Sequence, residues 1–435
     1  MKTHFKGGHT RDKGFFLILF LLSFQSMLSL YAQRRSVSDN LIFRLSEDTL
    51  HQKEVGYFYR TQSPLFNDPE PPRFIITGRD NKFLIGIGGF VALRSFYDLS
   101  NSINSIDFNT FDIPVADDAQ DKRWGLEASS SRLFLKIIGI SKLNKPITGY
   151  VEVDFRGDNR VLRLRQAYVS IAGFTLGQTY SNFIDIYSFA PALDFNGNIV
   201  SSFLRNPMIR YEYESKCGIS FGLSLERGEY SGKYLNQTAS AHDEVPDVNG
   251  YVQYKWRSGH IRYSGTFREM TYKNEVRDHY RNSLGLAAKF SGKFTTSPYA
   301  DLFFHIAYGK GIASYIVASE NNELDLLPDP LRPGIMFSPK GMVGYAAAKV
   351  NYTPKIYSGF TFSYNRFFVS SRFLATEQYR ELDLFHRSMA ISGNVIWEFI
   401  PFGICGIEYW IGKRCDYGGK EGITNRIYAM IRYNF

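Results

Sequence analysis

The connections between the strand-like segments of this chain are sorted by length, and that sorting constrains the fold more than any single motif. From residue 82 to Phe435 about sixteen segments, most of about 8–13 residues, alternate apolar and polar side chains. Every second connection is short: 141–146, 172–173, 216–217, 258–259, 293–298, 354–355 and 401. The intervening ones, 96–129, 181–206, 228–247, 272–280, 311–341, 369–385 and 413–424, are mostly long and polar, and only 157–160 is short among them. A soluble sandwich has no reason to sort its loops by parity. A barrel standing in a membrane has one rim of tight turns and one rim of long loops. An even strand number then leaves both termini on the short-turn rim.

The segments themselves have two faces. In 147–156, Ile147, Val151, Val153 and Phe155 share one face, and Thr148, Glu152 and Asp154 the other. In the next segment Leu162 and Leu164 oppose Arg163 and Arg165, the period of two expected of strands. A turn centred near Asn159 sets Asp154 opposite Arg163 and Glu152 opposite Arg165, and opposed charges favour one register. The rows Ile219/Phe221/Leu223/Leu225 and Ile427/Ala429/Ile431/Tyr433/Phe435 repeat the pattern. Their lengths suit tilted strands crossing a bilayer core, with the oily face on hydrocarbon and the wet face lining a lumen. The last strand ends in aromatic Phe435, in keeping with a signal read by barrel-assembly machinery.

Composition excludes several classes. The 37 Phe and 29 Tyr suit strands and membrane interfaces. Of the formal charge of +9, the leader carries +3 (Lys2, Lys6, Arg11 and Lys13 against Asp12), leaving +6 with no Lys/Arg run, so no nucleic-acid partner is expected. Cys217, Cys405 and Cys415 give neither metal spacing nor a disulfide framework, and no cofactor or metal is implied. Residues 1–32 read as a signal peptide: a basic start, an apolar run from Phe15 to Leu30, and cleavage after Ala32. An uncleaved anchor helix is the alternative. No later apolar run is long enough for a membrane helix, so an exported chain must cross by strands. Residues 33–80, which include PLFNDPEPPR, read as a periplasmic extension or linker, and 81–435 as the barrel.

Catalytic patterns are poor, and a non-enzymatic chain is expected. There is no GxSxG and no HxxxH or HxH pair, and Gly86-Ile87-Gly88-Gly89 lies inside a strand segment rather than at a strand-to-helix turn. Glu152 and Asp154 face arginines that keep both ionised, which makes them a weak acid/base pair.

Five stretches resemble the DcaP-type outer-membrane porins, a family related to the phosphate-selective porins O and P. They are SRLFLKI (131–137), GYVEVDFRG (149–157), LRLRQAYVSI (162–171), LGQTYSNFID (176–185) and GITNRIYAMIRYNF (422–435). The resemblance covers about 82–435 and is most specific in 131–185. It implies an all-β, sixteen-stranded barrel of the bacterial outer membrane, homotrimeric and surrounded by lipid and lipopolysaccharide. It also implies diffusive passage of small anionic solutes such as dicarboxylates or phosphate, and a loop at about 181–206 folded into the lumen. In that loop Asp185, Asp194 and Asn196 are candidate ties to wall arginines; ordinary loop caps are the other reading. Two features depart from the family: the short N-terminal extension has no convincing coiled coil, and acids stand beside the lumen arginines.

Read by alternation alone, Arg163 and Arg165 point inward on the fourth strand, Arg210 on the sixth, Arg262 and Arg268 on the ninth, and Arg426 and Arg432 on the last. Guanidinium stays charged and offers a planar fork to carboxylate or phosphate. A ladder of them in a confined channel concentrates anions. Arg163, Arg165 and Arg210 are the candidates for the constriction, and Arg432 belongs near the periplasmic mouth. The competing reading makes Glu152 and Asp154 neutralise Arg163 and Arg165, a brace across the wall. Two other functions stay open: an adhesin or receptor with a plugged lumen using loops 96–129 and 311–341, and a barrel enzyme acting on lipid or peptide.

Overall fold

The computed structural model describes residues 56, 58–77, 83–115, 122–140, 145–197, 203–235, 237–242, 244–316, 323–380 and 384–435. All lie in the second of the chain's two compact units, Leu45–Phe435; the signal-peptide segment 1–32 is outside the described residues.

Sixteen wall strands close into one antiparallel barrel. They are β1 Phe83–Ser100, β2 (Arg123–Glu127 continued by Arg132–Ile140), β3 Pro146–Asp154, β4 Arg163–Ile171, β5 Phe174–Tyr180, β6 Arg205–Glu214, β7 Ile219–Glu226 and β8 Asp247–Trp256. The second half runs β9 Gly259–Asn274, β10 His279–Ser297, β11 Ala300–Lys310, β12 Lys340–Asn351, β13 Ile356–Phe368, β14 Phe385–Ile400, β15 Gly403–Asp416 and β16 Glu421–Asn434. Each pairs with its sequence neighbours, and β1 pairs with β16 from Phe90↔Asn434 to Ser100↔Asn425. Phe435 completes the seam by exchanging two backbone hydrogen bonds with Gly89, at 3.0 and 3.1 Å. Closure leaves no open sheet edge, the condition a strand must meet inside lipid.

Alternation sorts the side chains as the sequence requires. On β7, Ile219, Phe221, Leu223 and Leu225 are exposed on the outside, while Ser220, Ser224 and Glu226 are buried inside. At the short-turn rim Tyr254, Trp256, Phe294 and Phe304 form a chain of aromatic contacts, with centroids 5.6–5.8 Å apart. Such rings occupy membrane interfaces.

The register of the β3–β4 hairpin differs from the simple expectation. Asp154 does stand opposite Arg163, but Glu152 stands opposite Gln166, not Arg165. A β-bulge inserts Arg165 between the two pairs, so Arg165 and Gln166 are both buried on the lumen side. Periodicity cannot show an extra residue of this kind.

Several segments turn into the barrel. Residues 58–72 turn to the lumen side of β1 and β2, with Phe58 buried beside Leu84 and Ile138. The short strand Phe74–Thr77 that follows pairs edge-on with Leu84–Ile87 and leaves Phe74 and Ile76 exposed. Loop 1 (101–122) and loop 3 (181–204) add interior contacts, including Phe108 stacked on Trp410 at 5.3 Å, and Ile312, Tyr315, Ile316 and Leu327 pack in one cluster with Phe183 and Phe189 of loop 3.

Candidate functional site in the barrel lumen

Loop 3 crosses the lumen and is fastened to the far wall at several points. At its start Asp185 accepts hydrogen bonds from Ser291 Oγ on β10 (2.8 Å) and its own Tyr187 N–H (3.2 Å), and lies 2.9 Å from His260 Nε2 on β9. Burial raises that carboxyl's pKa, but the His260 hydrogen bond and the charges of Arg262 and His260 outweigh it and hold the group well below the usual carboxylate range. Further on, Ala190 N–H donates to Tyr345 Oη on β12 (2.9 Å). Asn394 Nδ2 on β14 donates to Pro191 O (2.9 Å), and Glu408 on β15 accepts the N–H groups of Leu193 and Asp194 (2.9 and 2.8 Å). Gly359 on β13 makes room for this seat: a Cβ there would meet Pro191 O at 2.6 Å.

At the buried end of loop 3, Asp194 and Asp107 flank the Arg94 guanidinium, and Arg156 also pairs with Asp107. Arg94 on β1 lies 2.7 Å from Asp107 of loop 1 and 3.7 Å from Asp194 of loop 3, and also reaches Glu127. Both acids are buried, which favours protonation. For Asp107 the charges of Arg156 and Arg94 prevail and lower its pKa. For Asp194 burial and the repulsion of Asp107 prevail, and the carboxyl is pushed up to about 7. The pair therefore splits into one ionised and one readily protonated member.

A second cluster joins β2, β3 and β4. Arg163 makes a two-pronged bond to Asp154 (3.0 and 2.8 Å). Arg165 reaches Glu152 (2.6 Å) and Asp154 (3.0 Å), and Arg132 reaches Asp68 (2.7 Å) and Glu152 (3.5 Å). Three guanidinium groups thus meet three carboxylates, one of them brought by the N-terminal segment. Phe195 of loop 3 sits among the arginines, its ring 5.1 Å from Arg132 and Arg165, 5.9 Å from Arg163 and 4.1 Å from Arg156.

The remaining arginines divide between loop anchoring and an open cavity. Arg268 bonds the carbonyls of Glu229 and Gly311 and lies 3.2 Å from Asp247, tying two outer loops to β9. Arg426 bonds Asp98 (2.8 Å) and the carbonyls of Ile103 and Ser105, holding loop 1 against the seam. Arg432 donates to Phe66 O (2.7 Å) near the end of β16, on the short-turn rim. By contrast, Arg210 and Arg262 line a cavity of about 430 Å³ with Tyr187, Glu212, Tyr251, Lys255 and His260. Arg210 pairs with Glu212 at 3.0 Å. Arg262 lies 3.5 Å over the Tyr251 ring and donates to Asn182 O and Ser264 Oγ, with no carboxylate in ion-pair range among the described residues.

The three arginines singled out as a constriction therefore fall in two places: Arg163 and Arg165 in the compensated cluster, Arg210 in the cavity. Asp185 ties loop 3 to a histidine and a serine instead of an arginine, and Asp194 approaches wall Arg94. Asn196 donates its backbone N–H to Asp194 (3.0 Å), a turn contact within the loop. Sequence reasoning passed over Asp68, Arg94, Asp107, Arg132, Phe195, His260 and Glu408. Parity along β1 and β2 places Arg94 and Arg132 inward, so those two were within its reach.

A closed sixteen-stranded barrel with an inward-folded third loop and a charged, aromatic-lined interior defines an outer-membrane channel. Residues 115–365, more than half of the chain, match the profile of Porin_2, the Porin subfamily, and the chain belongs to that family. It is a porin of the bacterial outer membrane. No curated protein matches it in sequence. Its fold is similar to that of the outer-membrane channel DcaP of Acinetobacter baumannii (TM-score 0.71, 19% identity, covering 83% of this chain and 99% of that one). It is also similar to the anion-selective porin from Comamonas acidovorans (0.52, 12%, 81% and 100%). The Vibrio cholerae outer-membrane protein OmpT lacking loop L8 is a third relative in fold (0.51, 12%, 81% and 100%).

Proposed function

We propose that this porin passes small anionic solutes by diffusion, catalyses no reaction, and discriminates by charge at Arg210 and Arg262, not at the Arg163–Arg165 cluster. The observation that carries the reading is Arg262, a cavity-lining guanidinium without a carboxylate partner among the described residues. With Arg210 and Lys255 the cavity holds three cations against Glu212 and Glu214. In the other cluster Asp154, Glu152 and Asp68 already occupy the arginines, so that group acts as a brace of the wall. The Comamonas relative is an anion-selective porin, which agrees with this assignment.

A homotrimer is part of the proposal. OmpT of Vibrio cholerae, which shares the fold, has a trimer form. The wall from β3 to β7 has strands of 7–10 residues, against 16 and 19 in β9 and β10. A seven-residue strand falls short of the roughly 9–11 residues needed to cross a bilayer. Its exposed Phe174 and Leu176, with Val169 and Ile209 beside them, suit cover by a second copy.

The test is reconstitution into planar bilayers under a salt gradient. A reversal potential of the sign for anion preference is expected; cation preference contradicts the proposal. The filling of the lumen by 58–72, loop 1 and loop 3 favours one rival, a plugged surface receptor, and a barrel that never conducts would select it.

A further inference from the structure

Loop 3 is buried or half-buried along its described length with one exception. Among the described residues of the loop only Tyr187 is exposed, with 48% of its surface open. The aromatic residues beside it in sequence go the other way, Phe183 and Phe189 being packed in the interior cluster with Ile316 and Val343.

The turn that presents Tyr187 is fixed. Asp185 caps a single 3₁₀ turn, Ile186–Ser188, by accepting the Tyr187 N–H, and Ser188 Oγ closes back on Asp185 O at 2.8 Å. The same Asp185 side chain is held to the wall by Ser291 and His260. The His260 ring meets the Tyr187 ring in a T-shaped contact at 6.0 Å. Tyr187 Oη has no hydrogen-bond partner among the described residues, so the ring is placed by its backbone and by His260.

This ring stands where two cavities meet. Tyr180, Ile186, Tyr187 and Arg210 line both the cavity of about 430 Å³ that holds Arg262 and a smaller one of about 170 Å³ bounded by residues 60–64. A solute crossing from one to the other passes the open part of the Tyr187 ring beside the Arg210 guanidinium. Ring pairs attract when their centroids lie about 4.5–7 Å apart, and such a contact is worth up to about tenfold in binding. Glu212 and Glu214 line the larger cavity and repel a second negative charge. The complementary solute therefore carries one carboxylate on a neutral planar ring.

We propose, resting on anion passage at Arg210 and Arg262, that Tyr187 is a stacking platform that favours aromatic monocarboxylates over aliphatic ones. The solute ring packs on Tyr187 and its carboxylate faces the two guanidinium groups.

The test uses the full chain in planar bilayers and compares two acids as blockers of the chloride current. One is benzoate; the other is cyclohexanecarboxylate, equal in charge and similar in size but without an aromatic face. Benzoate is expected to halve the current at a concentration at least about threefold lower. Tyr187→Leu is expected to bring the two acids level, and Tyr187→Phe, which keeps the ring, to preserve the gap. Equal block in the unaltered channel, block by neither acid, a gap that survives in Tyr187→Leu or a gap lost in Tyr187→Phe overturns the proposal. Because the two acids carry the same charge, the gap between them reads the ring, and the sign of the reversal potential reads anion preference separately.

Discussion

Asp68 and Arg132, 64 residues apart in sequence, meet at 2.7 Å inside the barrel, both side chains almost fully buried. Tyr180 Oη donates to the same carboxylate at 2.8 Å, and Arg165 lies 3.9 Å away. The contact gives the N-terminal segment, whose role the sequence left open, a definite place: it supplies the third carboxylate of a cluster that holds three arginines. Asn67 Nδ2 donates to Asp194 O (2.9 Å), and Asn434 Nδ2 to Glu70 (3.0 Å), so the segment also joins loop 3 to the barrel seam.

Asp68→Asn removes one buried partner and leaves a guanidinium uncompensated. Breaking a buried pair in this way costs about 3–5 kcal/mol. The expected outcome is a segment 58–77 newly open to protease and a shift of the bilayer reversal potential further toward anions. An unchanged digestion pattern contradicts the placement.

Asp185 should anchor the root of loop 3. With Asp185→Ala, His260 and Ser291 lose their acceptor, a loss of about 1–3 kcal/mol for each buried group left unsatisfied. Single-channel recordings are expected to show larger current noise and a changed mean conductance. Asp185→Asn, which still accepts from Ser291, is expected to lie between the Ala variant and the unaltered protein.

Gly359→Ala probes the other end of the loop. The added methyl would press on Pro191 O, and the overpacking is worth about 1–3 kcal/mol. Loop 3 is expected to lift from β13, which protease sensitivity between 181 and 204 reports, while the barrel keeps its heat-resistant migration in gels.

Asp194 predicts a pH dependence. Its pKa is raised in the folded protein, so its contribution to stability is complete below the ordinary value of 3.8 and is lost as pH rises through about 7. The unfolding temperature of the detergent-solubilised barrel is expected to fall between pH 5 and pH 8. In Asp194→Asn, which keeps the acceptor for Phe108 N–H (3.0 Å), that slope should flatten.

The sequence carried the barrel well because its evidence is local and repeated: Ile219 to Leu225 and Ile427 to Phe435 alternate strictly, and loop lengths alternate with them. The interior was harder to read. Arg165 looks like any other inward residue, yet a bulge displaces it from Glu152's partner position. PLFNDPEPPR has the composition of a spacer, and the partners that draw Asp68 inside, Arg132, Arg165 and Tyr180, lie on three different strands. Whether an arginine meets a carboxylate or a loop carbonyl and an aromatic ring is decided by residues remote in sequence, which is why Arg163, paired with Asp154, and Arg262, set against Asn182 O and Tyr251, look alike until the chain is folded.

In the proposed channel Arg262, not Arg163, carries the charge that solutes meet, and reversal potentials of two variants in planar bilayers test this directly. Arg262→Ala is expected to lose most of the anion preference and Arg163→Ala to keep it. The opposite ranking, or a cation-selective unaltered channel, contradicts it.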